Sequence, residues 1–564
     1  MNATRLILLA ALLFLPLPAA RSGVDPLSDE WKREYEPEDD SWKSVKQELI
    51  FNNGAEPETL DPGIMTGVPE HTLALALYEG LVSHDPETLE PRPGVAQSWI
   101  TDKTNTFYTF RLRDDAKWSN GDPVTPEDFQ WSWYRALCEP NCDYAYLFYY
   151  IEGAEQFHRD TIQTLGKTEK PLPFEEFKKR VKVATSNPRT LVVKLNDPTP
   201  YFLDLCAFET YMPVHRATFL EHGDRWTRPE NWVGNGPFLL RAWKPRDSIV
   251  MTPNPTYWDA GFVKLTKITA LPIDDMDVSY NKFLKNEAHW IRSMPIAKLD
   301  EAKTNPEYFV QPYLGSYFYR VNVDPEKGPK HLQDKRIRQA LSVAVDRESL
   351  TRDVTRAGQI PAPWFCPAIA AAKYEPPKGW AYDPDRARAL LKEGMAALGL
   401  TEFPNLTLFY NTNEDHKKVA ERVAQMWRET LGIQVSLQNS EWKVYLNEVK
   451  NLNYEVARAG WIGDYTDPMT FLDMWLTGGG NNNNTGWSSG RYDSLIEKAQ
   501  REPDLAKRAA ILREAESIVV VDEFPIIPLY MYVNQGMKVE TLQGWYENVR
   551  DLHPFQYMYF EPDE

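Results

Sequence analysis

The stretch Tyr454–Trp475, YEVARAGWIGDYTDPMTFLDMW, holds the residues of this chain that are best suited to chemistry. Near its centre, Gly460 and Gly463 allow another backbone to approach closely. Trp461 offers a ring surface, and Asp464 offers one carboxylate. Free backbone groups, an aromatic face and a single anion suit an extended peptide with a cationic amino terminus. The alternative is a core strand that enters a helix, with Asp464 as a turn residue.

Two predicted elements must position these residues. Side chains alternate with a period of two through the first half of the stretch, which predicts a strand with Val456, Arg458 and Gly460 on one face. Asp467 followed by Pro468 predicts a helix start, with Asp467 as the N-cap and proline at the first helical position. The candidate groups therefore lie at the junction of a strand and a helix.

Signatures of catalytic chemistry are not recognised. We identify no serine nucleophile elbow, no H-E-x-x-H zinc motif and no phosphate-binding loop. The nine histidines are scattered, and the four cysteines give no metal-ligand pattern. In an exported protein Cys138 and Cys142 are spaced to permit a loop disulfide, whereas Cys206 and Cys366 are expected to be free thiols. Binding, without cofactor or metal, is the favoured class of function.

Composition and the amino terminus indicate an acidic exported protein. The chain has 564 residues, 42% of them hydrophobic and 13% aromatic, which is enough for two or three lobes. Its net charge of −18 argues against nucleic acid as a partner. Residues 1–20 resemble a secretory signal peptide with no cysteine for a lipid anchor; an uncleaved anchor is the alternative. Residues 21–45 form an acidic leader, either mobile or a short helix from Pro26.

The rest of the chain alternates strand and helix patterns. Strands are predicted at residues 47–53, 106–112, 190–195, 249–252, 406–410, 433–438, 454–459, 526–533 and 556–560. Helices are predicted at residues 69–81, 128–137, 334–345, 384–398, 416–431, 492–500 and 505–519. A Lys-rich connection is expected at residues 166–182. This order indicates an α/β protein.

Several motifs in order resemble the periplasmic oligopeptide-binding proteins, the extracellular solute-binding family 5 of peptide ABC importers. They include NNGAEPETLDP (52–62), LRDDAKWSNGDPVTPEDFQWSW (112–133), VGNGPFLLRAW (233–243), YNTNEDHKKVAERVAQMWRETLG (410–432) and ARAGWIGDYTDPMTFL (457–472). The resemblance implies an α/β, periplasmic-binding-protein type II-like receptor with three hinged lobes that enclose the ligand. Its discontinuous lobe I would comprise residues 46–78, 205–314 and 532–564, with lobe II at 79–204 and lobe III at 315–531.

The resemblance also implies a set of ligand-binding residues. Asp464 matches the carboxylate that meets the ligand's α-amine, and Arg458 and His416 match groups that reach its carboxylate. Main-chain partners correspond to Gly460, Ile462 and Val68. Pocket walls correspond to Trp442, Trp461, Tyr144, Tyr317 and Tyr530, and the set is completed by Glu414 and Thr66.

The chain departs from the family pattern in three ways. Thr66 stands where well-known members place a second carboxylate near the amine, so amine recognition is expected to depend on Asp464 alone. Thr355, with Arg356 beside it, replaces a lysine that caps short ligands. Gly315 and Ile462 occupy the positions of two cysteines that some members bridge, so that disulfide cannot form.

The expected function is a non-enzymatic, monomeric receptor that delivers oligopeptides to an inner-membrane ABC permease and its ATPase. Two alternatives remain at this stage. One is a receptor for another solute, such as a murein peptide, an oligosaccharide or a metal chelate. The other is a secreted peptidase on a similar scaffold.

Overall fold

The computed structural model describes residues 29–477 and 482–563. They form two compact units: a first unit of residues 29–309 and 535–563, and a second unit of residues 310–477 and 482–534. Two long strands, Tyr308–Val321 and Ile526–Lys538, carry the chain from one unit to the other. The predicted signal peptide lies outside the described residues. The three-lobe division expected from the sequence stays a prediction.

The first unit contains eleven of the described strands before residue 308. They are β1 (Glu48–Asn52), β2 (Val82–His84), β3 (Pro91–Pro93), β4 (Ala96–Thr101), β5 (Phe107–Leu112), β6 (Val183–Asn187), β7 (Thr190–Lys194), β8 (Phe238–Lys244), β9 (Ser248–Pro253), β10 (Lys267–Leu271) and β11 (Trp290–Ile291). One sheet has the order β11-β1-β10-β9-β8, and a separate sheet has the order β4-β5-β7-β6. Apolar side chains of β1, β9 and β10, such as Phe51, Met251 and Ile268, pack in the main core.

Helices flank these sheets. The α-helices of the first unit are Val68–Leu77, Pro126–Cys138, Ala154–Thr168, Phe174–Arg180, Phe202–Leu205, Arg216–His222, Met276–Leu284 and Leu299–Ala302. The Pro126–Cys138 helix begins with a capping box, in which Thr125 and Asp128 bond each other's backbone N–H groups. The sequence predicts Thr125 as the cap of this helix, with Asp128 in a capping-box-like arrangement, and the structure confirms it; the helix itself begins two residues before the predicted 128.

The second unit is built on a mixed sheet. Its strands are β12 (Tyr308–Val321), β13 (Ile360–Pro361), β14 (Leu406–Asn411), β15 (Val435–Ser440), β16 (Val456–Ile462) and β17 (Ile526–Lys538), in the order β15-β14-β16-β12-β17 with β13 also beside β17. Its α-helices are Lys335–Val343, Arg347–Leu350, Pro384–Ala397, Glu414–Leu431, Trp442–Lys450, Met469–Leu472, Gly490–Arg501 and Leu505–Ser517. The short strands β18 (Leu542–Gln543) and β19 (Tyr559–Phe560) return to the first unit.

Most long predicted elements are confirmed, with three differences. The expected connection at residues 166–182 is wrong, because helices continue to Thr168 and then run over Phe174–Arg180. No part of β12 was predicted, and neither were several helices, among them Ala154–Thr168, Met276–Leu284 and Trp442–Lys450. The last predicted strand is shortened to Tyr559–Phe560, because Phe555–Tyr557 forms a 3-10 turn.

The four cysteines form no disulfide in the described part of the chain. Cys138 and Cys142 are free thiols, as are Cys206 and Cys366. Burial raises the pKa of the Cys138 and Cys142 thiols to about 12, so both are protonated and unreactive near neutrality.

No helix within the described residues, 29–477 and 482–563, is both long enough and apolar enough to span a membrane.

The described part of the leader is not mobile. Residues Asp29–Tyr35 form a 3-10 helix, and Trp31 and Tyr35 are buried in a cluster with Phe262 and Tyr557. Lys32 joins this attachment, with its Nζ 2.5 Å from Asp259 Oδ2 and 3.9 Å from the centre of the Trp258 ring. Apolar residues at positions 31 and 35 lie on one side of a short helix, so the leader gains a buried face despite its acidic composition. The mobile alternative is therefore wrong for these residues.

We expect the Trp31→Ala substitution to lower the free energy of unfolding by about 3–5 kcal/mol, because it leaves a cavity in the leader cluster. The measurement is chemical denaturation of the full chain, followed by fluorescence and circular dichroism. Trp442→Ala is the matched control: its side chain is 50% exposed, so the loss should stay near ~0.5 kcal/mol. Equal losses for the two variants would contradict the attachment of the leader.

Candidate functional site

The second unit gathers a buried cation among tyrosines. In the antiparallel pair of β12 and β16, Tyr317 lies opposite Gly460 and Tyr319 lies opposite Arg458. The Arg458 guanidinium lies 4.8 Å from the centre of the Tyr317 ring, and its Nη2 donates to the Tyr532 hydroxyl at 2.7 Å. Tyr530 stacks on Tyr317 with ring centres 4.7 Å apart. Strand pairing thus brings three tyrosines from β12 and β17 around one side chain of β16.

Arg458 faces oxygen dipoles but no counter-ion. Its Nη1 is 3.4 Å from the Asn411 side-chain oxygen, and its Nε is buried with no hydrogen-bond partner. Among the described residues, no carboxylate forms an ion pair with it. Burial opposes the charge, but the surrounding tyrosine hydroxyls, led by Tyr532, outweigh burial and raise the pKa of Arg458. The guanidinium therefore stays charged, and a buried cation of this kind is suited to a carboxylate ligand.

His416 completes this group as a neutral imidazole. Its Nδ1 is 3.4 Å from the Tyr317 hydroxyl, and its ring centre is 5.5 Å from that of Tyr317. Burial, reinforced by the nearby Arg458 charge, holds the pKa of His416 well below its usual range. His416 can therefore hydrogen-bond a ligand but adds no charge near neutral pH.

Gly460 is required by close approach. A Cβ at this position would lie 2.6 Å from the Tyr532 hydroxyl, inside van der Waals contact. Any side chain would displace Tyr532 and with it the Arg458 hydrogen bond. On the edge of β16 away from β12, the described ladder with β14 ends at Ala457, so Gly460 has no strand partner on that edge.

The turn after β16 holds Asp464 in place. Gly463 N–H donates to the Leu314 carbonyl at 2.7 Å, and Asp464 N–H donates to the Thr470 hydroxyl at 3.0 Å. The Trp461 indole N–H donates to the Thr470 carbonyl at 2.6 Å, which fixes its ring orientation. Asp464 is half-buried at this turn. The structure thus places Trp461 and Asp464 on one rigid turn.

The predicted helix starts one residue later than expected, because Pro468 and not Asp467 is the N-cap, and Asp467 has a different role. Asp467 Oδ1 accepts the Met469 N–H at 2.9 Å, and the helix itself runs over Met469–Leu472. Both Asp467 carboxylate oxygens also accept from Arg508, at 2.7 and 2.8 Å, and both side chains are buried. Asp467 is a structural anchor for the turn that carries Asp464.

Gly315 and Ile462, which stand where some family members have two bridged cysteines, face each other as expected. Gly315 and Ile462 are direct partners in the β12–β16 ladder. A Cβ on Gly315 would lie 2.5 Å from the Ile462 Cδ1 atom. The isoleucine side chain therefore fills the space that a side chain at position 315 would occupy.

Other predicted residues of the second unit lie at its surface. Trp442 is half-exposed and stacks in parallel on Tyr445, whose hydroxyl donates to the Arg458 carbonyl. Glu414 is exposed at the first turn of the Glu414–Leu431 helix, with its Oε2 3.9 Å from Lys417 Nζ. Glu414 is therefore not drawn into the tyrosine group, whereas Trp442 is linked to it through Tyr445.

The predicted residues of the first unit also lie near one another. Thr66 and Val68 flank Gly67, whose φ of 101° starts the Val68–Leu77 helix, and Val68 is 36% exposed. Tyr144 is half-buried and meets the Phe208 ring edge-on at 5.0 Å. We call the surface that carries Thr66, Val68 and Tyr144 the Val68 surface.

Sequence reasoning missed Tyr532, Asn411 and Tyr445. Tyr532 alternates with Tyr530 along β17 in the pattern YMY, which is a signal that could have been used. Asn411 and Tyr445 have no such signal, because only the packing of β14 and the Trp442–Lys450 helix brings them to Arg458.

One serine motif was overlooked and does not form an elbow. Residues 486–490, GWSSG, match G-x-S-x-G. In a nucleophile elbow this motif follows a strand, but residues 482–485, the described residues just before it, do not form one. Ser489 caps the next helix by accepting the Tyr492 N–H. Ser488 is exposed, and no described histidine or carboxylate contacts it. Likewise, no three His, Cys, Asp or Glu side chains among the described residues are grouped as metal ligands.

Comparison with known proteins agrees with this architecture. Residues 90–483 match the family model described as bacterial extracellular solute-binding proteins, family 5 middle. The chain belongs to this family. It is 36% identical to the oligopeptide-binding protein OppA of Bacillus subtilis over 88% of this chain and 90% of that protein. It is 35% identical to the periplasmic oligopeptide-binding protein OppA of Salmonella typhimurium, covering 89% and 90% of the two chains.

Comparison with solved structures also finds the fold of this family. The solved structure of the Escherichia coli murein tripeptide binding protein MppA is similar, with a TM-score of 0.82 and 32% identity over 92% of this chain and 99% of that chain. The α/β, periplasmic-binding-protein type II-like architecture is therefore confirmed. Family 5 consists of solute-binding transport components, which agrees with a binding role for the charged groups described above.

Proposed function

We propose that this chain is the substrate-binding component of an ABC importer and that it binds oligopeptides. The observation that carries the proposal is the Arg458 guanidinium, which is buried among tyrosines beside open strand backbone without a carboxylate partner in the described chain. A peptide's terminal carboxylate would supply the missing charge, and its main chain would pair with β16. The names of the relatives from Bacillus and Salmonella support peptide as the solute class.

Residue roles follow from this arrangement. Asp464 binds the α-amine, Arg458 and His416 bind the carboxylate, and Gly460, Ile462 and Val68 pair with the peptide backbone. The side-chain walls are Trp442, Trp461, Tyr144, Tyr317 and Tyr530. Thr66 supplies no charge, so Asp464 is the carboxylate responsible for the amine.

The cellular role extends the same proposal. The chain is exported by its signal peptide, acts as a monomer in the periplasm and performs no catalysis. It then delivers peptide to a membrane permease and its ATPase. The three-lobe division that the sequence predicts is part of this proposal. The periplasmic relative from Salmonella and the membership of family 5 support the proposed cellular role.

Peptides should co-purify with the freshly isolated protein. Denaturation followed by mass spectrometry is expected to release a series of short peptides with free amino termini. Protein washed in denaturant and refolded provides the control for carry-over. A single murein fragment would instead favour the second candidate, a murein-peptide receptor, which the likeness to the murein tripeptide binding protein supports. Release of a sugar or a chelate alone would contradict peptide as the solute.

The Arg458→Met variant should lose the distinction between free and amidated carboxyl termini. We expect the wild type to bind a free carboxylate roughly 10–100-fold more tightly than the matching amide at the peptide length that reaches Arg458. Titration calorimetry with peptides of two to five residues measures this ratio. Arg352→Met removes an exposed arginine paired with Asp353 and should leave the ratio unchanged. A ratio that survives in Arg458→Met would rule out carboxylate binding by Arg458.

The Asp464→Ala substitution should weaken the binding of peptides with a free amino terminus much more than the binding of acetylated peptides. We expect a loss of about 3–5 kcal/mol in binding for free-amine peptides, because the enclosed ammonium would be left unpaired. N-acetylated peptides should lose much less, since they carry no charge at that end. Competition binding of the two peptide sets gives the comparison, with Asp353→Ala as an exposed-carboxylate control. Equal losses for both sets would contradict the role of Asp464.

A further inference from the structure

A histidine–glutamate pair, half-buried at His71 and buried at Glu209, lies on the first unit next to the Val68 surface. His71 Nδ1 is 2.5 Å from Glu209 Oε2, and the Glu209 side chain is only 2% exposed. The imidazole stacks on Phe208 with ring centres 5.8 Å apart and an interplanar angle of 26°. None of these three residues was singled out from the sequence, because His71 and Glu209 are 138 positions apart.

This pair is continuous with residues already assigned to peptide binding. His71 lies one helical turn after Val68, and its N–H donates to the Gly67 carbonyl at 3.1 Å. Phe208, which stacks on His71, also meets the Tyr144 ring at 5.0 Å. His71 and Phe208 therefore extend the wall formed by Tyr144, at the side of Val68.

The hydrogen-bonding capacity of His71 is only half used. Its Nε2 is buried, and no described residue hydrogen-bonds to it. A buried polar atom without a partner costs free energy, so such an atom beside a binding surface is suited to a ligand. The remaining question is whether Nε2 offers a proton or a lone pair.

Charge balance answers this question. In the described chain, the Glu209 carboxylate has His71 as its one hydrogen-bond partner. A net negative charge on the buried pair would be costly, the more so because Glu70, also buried, lies nearby. Burial raises the pKa of Glu70 to about 7, and the Glu209 charge adds to that rise.

A neutral pair can hold its protons in two ways. Either imidazolium faces carboxylate, or neutral imidazole accepts from a protonated carboxyl at Nδ1. In both arrangements Nε2 carries hydrogen and is a donor. His71 is thus prepared to bind an acceptor oxygen.

We propose that His71 is a specificity-determining residue whose Nε2–H hydrogen-bonds an acceptor oxygen on a side chain of the bound peptide. Glu209 is a positioning residue that orients the imidazole, and Phe208 supports its ring. The preferred side chains are amides or carboxylates. This inference rests on the proposed function, because it requires that a peptide is bound.

The test is titration calorimetry of the full chain with six tripeptides. Each has two alanines, and the third residue is either Asn or Leu at position one, two or three, so that paired peptides match in shape. The wild type should prefer Asn to Leu by about tenfold at one position, the value of one buried hydrogen bond. His71→Phe should abolish that preference. His71→Gln should retain part of it, because its amide N–H lies near the place of Nε2.

Two further variants separate this role from a general structural one. His158→Phe changes a half-buried imidazole of the same unit, bonded to the Leu137 carbonyl, and should leave the preference unchanged. The double variant His71→Leu/Glu209→Gln removes the imidazole and the buried charge together, and it substitutes for His71→Phe if that protein does not fold.

The outcomes distinguish the two proposals. Peptide binding with no Asn preference at any position, or with a preference that survives His71→Phe, would overturn the role of His71 alone. Failure of the wild type to bind any of the six peptides, with the fold verified by circular dichroism, would overturn the proposed function and the role of His71 with it. A preference present in the wild type, lost in His71→Phe and partly restored in His71→Gln would establish the inference.

Discussion

The ion pair between Asp467 and Arg508 is the interaction on which the binding turn depends. Its two short hydrogen bonds are buried, so loss of either partner would leave an uncompensated charge in the protein interior. Asp467 also accepts the N–H of Met469, the first residue of the Met469–Leu472 helix, and Thr470 of that helix holds both Trp461 and Asp464. One buried ion pair therefore makes the whole turn after β16 rigid.

Rigidity of this turn has a functional consequence. A receptor that binds an extended peptide by its backbone must keep strand groups and charges in place before the ligand arrives, because ordering them afterwards would reduce the affinity. Both terminal nitrogens of Arg508 donate to a carboxylate within the protein, whereas no described carboxylate forms an ion pair with Arg458. The presence of an internal counter-ion distinguishes the structural arginine from the one proposed to contact the ligand.

Local sequence patterns predicted most of the long elements, but not every element of the site. The period-two pattern around Arg458 is confirmed, and a helix follows Asp467–Pro468 one residue later than predicted, because both features depend on neighbours in the chain. The acidic leader was assigned by average composition, which concealed the apolar face formed by Trp31 and Tyr35. The short Trp442–Lys450 helix has too few turns for a clear periodic signal.

The sequence by itself determined the family, the strand and turn that carry Arg458 and Asp464, and the glycine at position 460. These features follow from residue order over short distances and from the resemblance of several motifs to family 5, whose model matches residues 90–483. Only the tertiary structure decided that Tyr532 from β17 and Asn411 from β14 surround Arg458, and that Glu209 orients His71. Partners so far apart in the chain are selected by strand order and helix packing, which no local pattern records.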